Sequence, residues 1–235
     1  MKPRVFVVQP IPEPALEVMR EVAEVEIYPY SDRMVSVDEL IAAALRSDYI
    51  YTMHETTVPE SVIVANPNLK GIVGTEHSLT IDIDACKRHN VPIISRPFQR
   101  PTGSTTGGPM PDLNMAMILN LAYRVLEADQ YTRTVGFRQE QTMDLMGIGV
   151  PGKTVGLIGF GRIGRGMVPS LHAFEMNIIY TKRNRLPLEE EQQLGIEWCE
   201  DKDDVLKRAD FVLTVVNYHE GSHKLIGERE FKLMK

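Results

Sequence analysis

Through the first hundred residues, short β-branched runs alternate with stretches whose apolar side chains recur at helical spacing, and the alternation resumes after Pro151. That pattern is the signature of a parallel sheet with helices on both faces. The first series predicts a strand at Val5–Val8, a helix from about Pro14 to Glu24 and a strand at Val25–Tyr28. Ser36-Val-Asp-Glu39 spells a capping box, in which the serine takes an amide of the first turn and the glutamate reaches back, so a helix follows through Leu45. Further strands are predicted at Tyr49–Thr52, Gly71–Val73 and Val91–Ser95.

Arg96 to Pro111 is crowded with Pro, Gly, Ser and Thr and has no usable period, so it reads as a hinge. It divides the chain into residues 1–100 and 101–235. Asp112 is placed to cap a long helix from Leu113 to about Thr134, in which Leu113, Met117, Leu121 and Val125 share one face. The second strand series begins at Thr154 and continues at Ile178–Thr181, Ile196–Trp198 and Phe211–Val216. Pro187 and Gly195 bracket an acidic helix, Leu188–Leu194, with Pro early and Gly late.

The most informative stretch is Thr154-Val-Gly-Leu-Ile-Gly-Phe-Gly-Arg-Ile-Gly-Arg-Gly166, a buried strand running into a G-x-G-x-x-G turn and then a helix. Gly159 allows the sharp turn, Gly161 lets the backbone approach a pyrophosphate, and Gly164 lets the helix press against the strand. The amides of Arg162 and Ile163 then face the phosphates, at a helix start where the macrodipole is positive. A bare structural turn is the alternative. The next strand ends in Lys182-Arg183-Asn184-Arg185, where an acid gripping a ribose 2′-hydroxyl belongs in an NAD site. Lys182, Arg183 and Arg185 suit a 2′-phosphate and so favour NADP, with NAD still possible. A solvated basic turn is the alternative there.

Composition narrows the class without fixing it. A chain of 235 residues, 43% hydrophobic, can bury a sizeable core. A formal charge of −6 offers no basic field for nucleic acid or anionic membrane. No apolar run is long enough to span a bilayer, and two distant cysteines, Cys86 and Cys199, point to a reducing compartment, so the expectation is cytoplasmic. His219-Glu-Gly-Ser-His223 spells the H-E-x-x-H of zinc proteases, but it follows a strand directly and contains Gly221 and Ser222. A loop is expected and no metal.

Leu69-Lys-Gly-Ile-Val73, Ile81-Asp-Ile-Asp-Ala-Cys86, Met143-Asp-Leu-Met-Gly147, Gly152 to Gly164, Asp210-Phe-Val-Leu213 and Leu225-Ile-Gly-Glu-Arg-Glu230 together resemble the D-isomer-specific 2-hydroxyacid dehydrogenases. The resemblance covers nearly the whole chain. It implies an α/β protein with a Rossmann-type doubly wound parallel sheet, incomplete at its C-terminal end, plus a flavodoxin-like substrate domain at 1–100. It also implies hydride exchange between a nicotinamide cofactor and a small 2-oxo or 2-hydroxy acid, and a homodimer. The family's catalytic Arg, Glu and His are expected beyond Lys235, so no catalytic residue is assigned here. A nucleotide-binding or regulatory form without catalysis is the alternative.

The substrate carboxylate is expected at Thr75, Glu76 and His77, in a loop that departs from the family by its length and its acid. An ordinary surface turn is the other reading. Asn217 falls near the nicotinamide, where the family usually has proline, and Pro111-Asp112 replaces Ala-Glu ahead of the long helix.

Overall fold

A computed structural model describes residues 2–53, 55–74, 80–95, 108–136, 143–217 and 220–235. The chain divides into two compact units, Met1–Phe98 and Gln99–Lys235. In the first unit the elements run β1 (Arg4–Val7), α1 (Glu13–Val22), β2 (Glu24–Ile27), α2 (Val37–Ala44), β3 (Tyr49–Tyr51), α3 (Glu60–Ala65), β4 (Gly71–Val73), α4 (Ile83–Arg88) and β5 (Ile93–Ile94). The strands form one parallel sheet in the order β2-β1-β3-β4-β5. This is the flavodoxin-like order.

Alternation along β1 explains the two-sided core. Phe6 and Val8 pack with Leu40, Ile50, Ile63 and Ile72 on one face, and Val5 and Val7 pack with Ala23 on the other. A strand covered on both faces reads as an unbroken apolar run, which is why the RVFV segment shows no polar alternation. The Ser36 capping box forms as expected, with Ser36 Oγ accepting from the Glu39 amide at 3.3 Å and Glu39 Oε2 accepting from the Ser36 amide at 3.0 Å. Helices α3 and α4 escape the periodicity because each is only six residues long.

The second unit runs α5 (Pro109–Tyr123), α6 (Val125–Val135), β6 (Thr154–Ile158), α7 (Arg162–Ala173), β7 (Asn177–Thr181), α8 (Leu188–Leu194), β8 (Glu197–Trp198), α9 (Lys202–Arg208), β9 (Phe211–Thr214) and α10 (Glu228–Leu233). Its four strands are parallel in the order β8-β7-β6-β9, the 3-2-1-4 portion of a doubly wound Rossmann sheet. Leu157, Met167, Leu171 and Tyr180, all fully buried, form the centre of its core. Glu220–Ser222 is a single 3-10 turn, which does not supply the long helix that a zinc-binding H-E-x-x-H requires; His219 lies outside the described residues.

Two expectations about the start of this unit are corrected. The helix begins at Pro109 with Gly108 at its N-cap, so Pro109–Pro111 belong to the helix and Asp112 lies inside the first turn. Proline is tolerated there because first-turn amides have no partner within the helix. The single long helix is two, since Arg124 adopts a left-handed conformation at φ 52° and the Ile148 amide donates to the Ala122 carbonyl at 2.7 Å. The row Leu113, Met117, Leu121 and Val125 is exposed, and α5 buries Pro111, Met115, Ile118 and Ala122. The helix is apolar on several sides, so four-residue spacing alone could not choose among them.

Helix α10 is stapled to α9 by charge. Lys202 Nζ donates to Glu230 Oε1 at 2.7 Å and to the Leu225 carbonyl at 2.9 Å, while the Gly227 amide donates to Glu230 Oε2 at 3.1 Å. The Lys202 ammonium holds the Glu230 carboxyl down at about 2, below its ordinary 4.5. A depressed carboxyl stabilises the fold above its ordinary value and loses that contribution as pH falls through the folded one. Glu230→Gln should therefore melt below wild type at neutral pH, and the difference should shrink between about pH 4.5 and about pH 2. A difference that does not change with pH would assign the staple to shape and not to charge.

Candidate functional site

Strand β6 ends at Ile158, and register places Thr181 of β7 and Thr214 of β9 directly beside it. The segments following all three strands therefore start from one carboxyl edge. The chain winds from β6 through β7 to β8 on one side and then crosses to β9 on the other, so β6 borders the topological switch point where open α/β sheets bind ligands.

The turn after β6 is clamped from both neighbours. The Gly159 amide donates to the Thr181 carbonyl at 2.8 Å, and the Val215 amide donates to the Ile158 carbonyl at 2.9 Å. Gly159 has φ 90°, and a Cβ there would lie 2.7 Å from the Val215 carbonyl oxygen. Only glycine meets both conditions. Gly161, the N-cap of α7, differs: among the described residues, a Cβ added there meets nothing within 4 Å and no side chain caps the helix. The first-turn amides of α7, including Ile163 and Gly164, thus lie at a positive helix end whose N-cap is approached by no described side chain. These residues fit the diphosphate of a dinucleotide.

Beside Gly164, the atoms closest to where a Cβ would sit belong to the Phe160 ring, with Cδ2 at 3.0 Å, so the turn's own aromatic packs against the helix there. Phe160 is buried and packs on Tyr180 with ring centroids 4.8 Å apart. Arg165 pairs with Glu190 of α8 and lies 5.7 Å from the Phe160 ring centre.

At the end of β7 the three expected cations separate. Lys182 is half-buried and Arg183 exposed, and neither pairs with an acid among the described residues. Arg185 is committed elsewhere. Its Nε and Nη2 donate to the two oxygens of Glu191 at 2.9 and 2.7 Å, and its guanidinium lies 4.6 Å from the centre of the Trp198 ring. Glu191, 4% exposed, also accepts from the Tyr180 hydroxyl at 2.7 Å, and that hydroxyl accepts from the Leu186 amide at 3.0 Å. Arg185 lowers the Glu191 carboxyl, while burial, then the bond to Glu191, pushes the Tyr180 hydroxyl up to about 12. Sequence reasoning missed this network. Its one legible trace is an acid in the first turn of α8 six residues after Arg185, and the tyrosine beneath it reads only as a strand residue.

Asn217 lies exposed just past β9, its carbonyl accepting from Ser222 Oγ at 3.0 Å. Thr75, Glu76 and His77 lie outside the described residues.

The family described as D-isomer specific 2-hydroxyacid dehydrogenase, NAD binding domain, matches residues 115–235. A Staphylococcus aureus protein (strain bovine RF122 / ET3-1) named as a 2-hydroxyacid dehydrogenase is 33% identical over 233 residues, which are 99% of this chain and 71% of that protein. The chain belongs to the D-isomer specific 2-hydroxyacid dehydrogenase family. Two solved structures share the fold. The TT0316 protein from Thermus thermophilus is 25% identical with a TM-score of 0.81, over 99% of this chain and 70% of that one. A D-isomer specific 2-hydroxyacid dehydrogenase structure from Polaromonas sp. JS6 66 is 20% identical with a TM-score of 0.84, over 100% of this chain and 71% of that one. As a 2-hydroxyacid dehydrogenase by family, the protein is an oxidoreductase with an NAD-binding domain, and its cofactor is a nicotinamide dinucleotide.

The two glycines of the turn should respond differently to alanine. Gly159→Ala has to strain the backbone and displace Val215, at a cost of about 1–3 kcal/mol, whereas Gly161→Ala has room and should cost less than about 1 kcal/mol. Urea unfolding midpoints measure both; equal losses would contradict the division between a structural and a ligand-facing glycine.

Proposed function

We propose that this dehydrogenase uses NADP to interconvert a small 2-oxo acid and its D-2-hydroxy acid, in the cytoplasm and as a homodimer. The observation that carries the reading is the turn at Gly159–Gly161, where helix amides that no described side chain caps lie at the switch point of the sheet. Gly159, Gly161, Ile163 and Gly164 would hold the diphosphate, with Arg162 beside them and Asn217 near the nicotinamide. When bound, the dinucleotide supplies or accepts the hydride. The task of this chain's residues is to fix its phosphates so that the nicotinamide is held still. The first unit would take the acid, with Thr75, Glu76 and His77 as the candidate contacts to its carboxylate.

NADP preference is supported by Lys182 and Arg183, which follow a strand end with no acid within it and make no ion pair with described residues. A 2′-phosphate beside two cations gains charge-assisted contacts that the 2′-hydroxyl of NAD cannot make. Titration of NADPH and NADH against the fluorescence of Trp198, the single tryptophan, measures the preference. NADPH should bind about tenfold more tightly, close to 1.4 kcal/mol, and Lys182→Ala with Arg183→Ala should erase the difference. Equal affinities in the wild type would discard the NADP reading.

The dimer is supported by α5 and α6. Leu113, Met117 and Leu121 are 48%, 51% and 72% exposed, and Leu126 is 74% exposed, although large apolar side chains in a row are normally covered. A second copy of the same face would bury them about a twofold axis. Met117→Glu with Leu121→Glu should convert the dimer to a monomer by light scattering while the melting temperature of the Rossmann unit is largely kept. A wild type that is monomeric at micromolar concentration would overturn this part of the proposal.

A further inference from the structure

We infer that Glu191 and Arg185 form a positioning pair for cofactor selectivity: the pair fixes the turn after β7 so that Lys182 and Arg183 meet the 2′-phosphate, while Arg185 itself does not touch it. The inference rests on the reading that the dinucleotide binds at this edge of the sheet, and it assigns the third cation of the cluster a role opposite to the one its sequence position suggests.

The turn from Lys182 to Pro187 is tied down at its distal end by two contacts. The Leu186 amide donates to the Tyr180 hydroxyl at 3.0 Å, and the Arg185 guanidinium forks onto Glu191 at 2.9 and 2.7 Å. Both contacts converge on Glu191, because the Tyr180 hydroxyl donates to its Oε1 at 2.7 Å. Tyr180 is fully buried, and its ring packs on Phe160, which stands between the two glycines of the phosphate turn. One tyrosine therefore touches the dinucleotide turn with its ring and the basic turn with its hydroxyl. At the proximal end, Thr181 is fixed by pairing with Ile158 and by accepting from the Gly159 amide. Lys182 and Arg183 leave this anchored point directly.

Arg185 is poorly placed to serve as the phosphate ligand. Reaching outward would break two charge-assisted bonds, leave a 4% exposed carboxylate without its cation and abandon the Trp198 ring. The fork also matters for what it hides. A free acid at the end of this strand would repel a 2′-phosphate, as it does in NAD sites, and Arg185 neutralises one acid of the helix that follows, Glu191. Geometry is the essential part, since only a planar guanidinium gives two parallel bonds to one carboxylate.

Glu191→Gln and Arg185→Lys test this by NADPH and NADH titration with the full chain. Glu191→Gln keeps the acceptor for Tyr180 but releases the fork, and Arg185→Lys keeps the charge but loses the planar geometry. Each should weaken NADPH about tenfold and leave NADH within about twofold. A loss in Glu191→Gln would be telling, because that variant makes the site more positive. Three results overturn the inference: tighter NADPH binding in Glu191→Gln, which would make Arg185 a ligand that Glu191 withholds; unchanged affinity for both nucleotides in both variants; or equal weakening of the two nucleotides, which would reduce the pair to general stability. Thermal melts identify the last case, and Arg185→Lys keeps the buried carboxylate paired should Glu191→Gln fold poorly. A wild type that binds neither nucleotide, or shows no preference, instead overturns the cofactor reading on which the inference stands.

Discussion

The second unit depends on one backbone constraint, the left-handed Gly159 clamped between two strand ends. Its amide continues the ladder to β7 through Thr181, and the backbone of Val215 presses against it from β9. A side chain at that position would strain φ and push β9 away at the same moment. Because both neighbours are fixed by the same residue, three loops that share no sequence proximity leave the sheet in a defined register. Among the described residues, the helix that follows begins with no side-chain cap, and nothing lies within 4 Å of a Cβ placed on Gly161. A binding edge is thus set by sterics before any side chain contributes charge.

Much of this architecture was legible because each local signal agreed with its neighbours. The Ser36 box, the Pro187 and Gly195 brackets and the unbroken apolar strands all lie where pattern and turn chemistry coincide. Gly195 does adopt φ 62°, as a helix-ending glycine should. The failures share a physical origin in information held by tertiary neighbours. Nothing in the spacing of α5 says which of its apolar rows meets α7, and the row with four-residue spacing is an exposed one. The role of Arg185 depends on a carboxylate that folding brings back from the next helix.

The same limit applies to the first unit. Its sheet order and two-sided core follow from alternating elements, but the residues expected to meet a substrate lie outside the described residues, and side-chain detail at a binding site is information that periodicity does not carry. Family membership therefore constrains the cofactor more tightly than the acid. The candidate dinucleotide site is built largely from main chain and glycine, which sequence motifs record directly.

Charge illustrates why totals mislead. The chain carries a net −6, and the first turn of α8 sets Glu189, Glu190 and Glu191 close to Lys182, Arg183 and Arg185, so a count along this segment comes to nothing. Folding resolves the tie. Glu191 is neutralised by Arg185 and Glu190 by Arg165, a residue of the phosphate helix, which leaves Glu189 as the acid of that turn with no cation among the described residues. Lys182 and Arg183 then outnumber it beside the carboxyl edge. Screening confines each surface charge to about 10 Å at ordinary salt, so a 2′-phosphate at that edge would respond to this local remainder and hardly to the distant acids that make the protein anionic. Selectivity for a phosphorylated cofactor can therefore arise on an acidic protein, provided that the nearby carboxylates are paired within the fold.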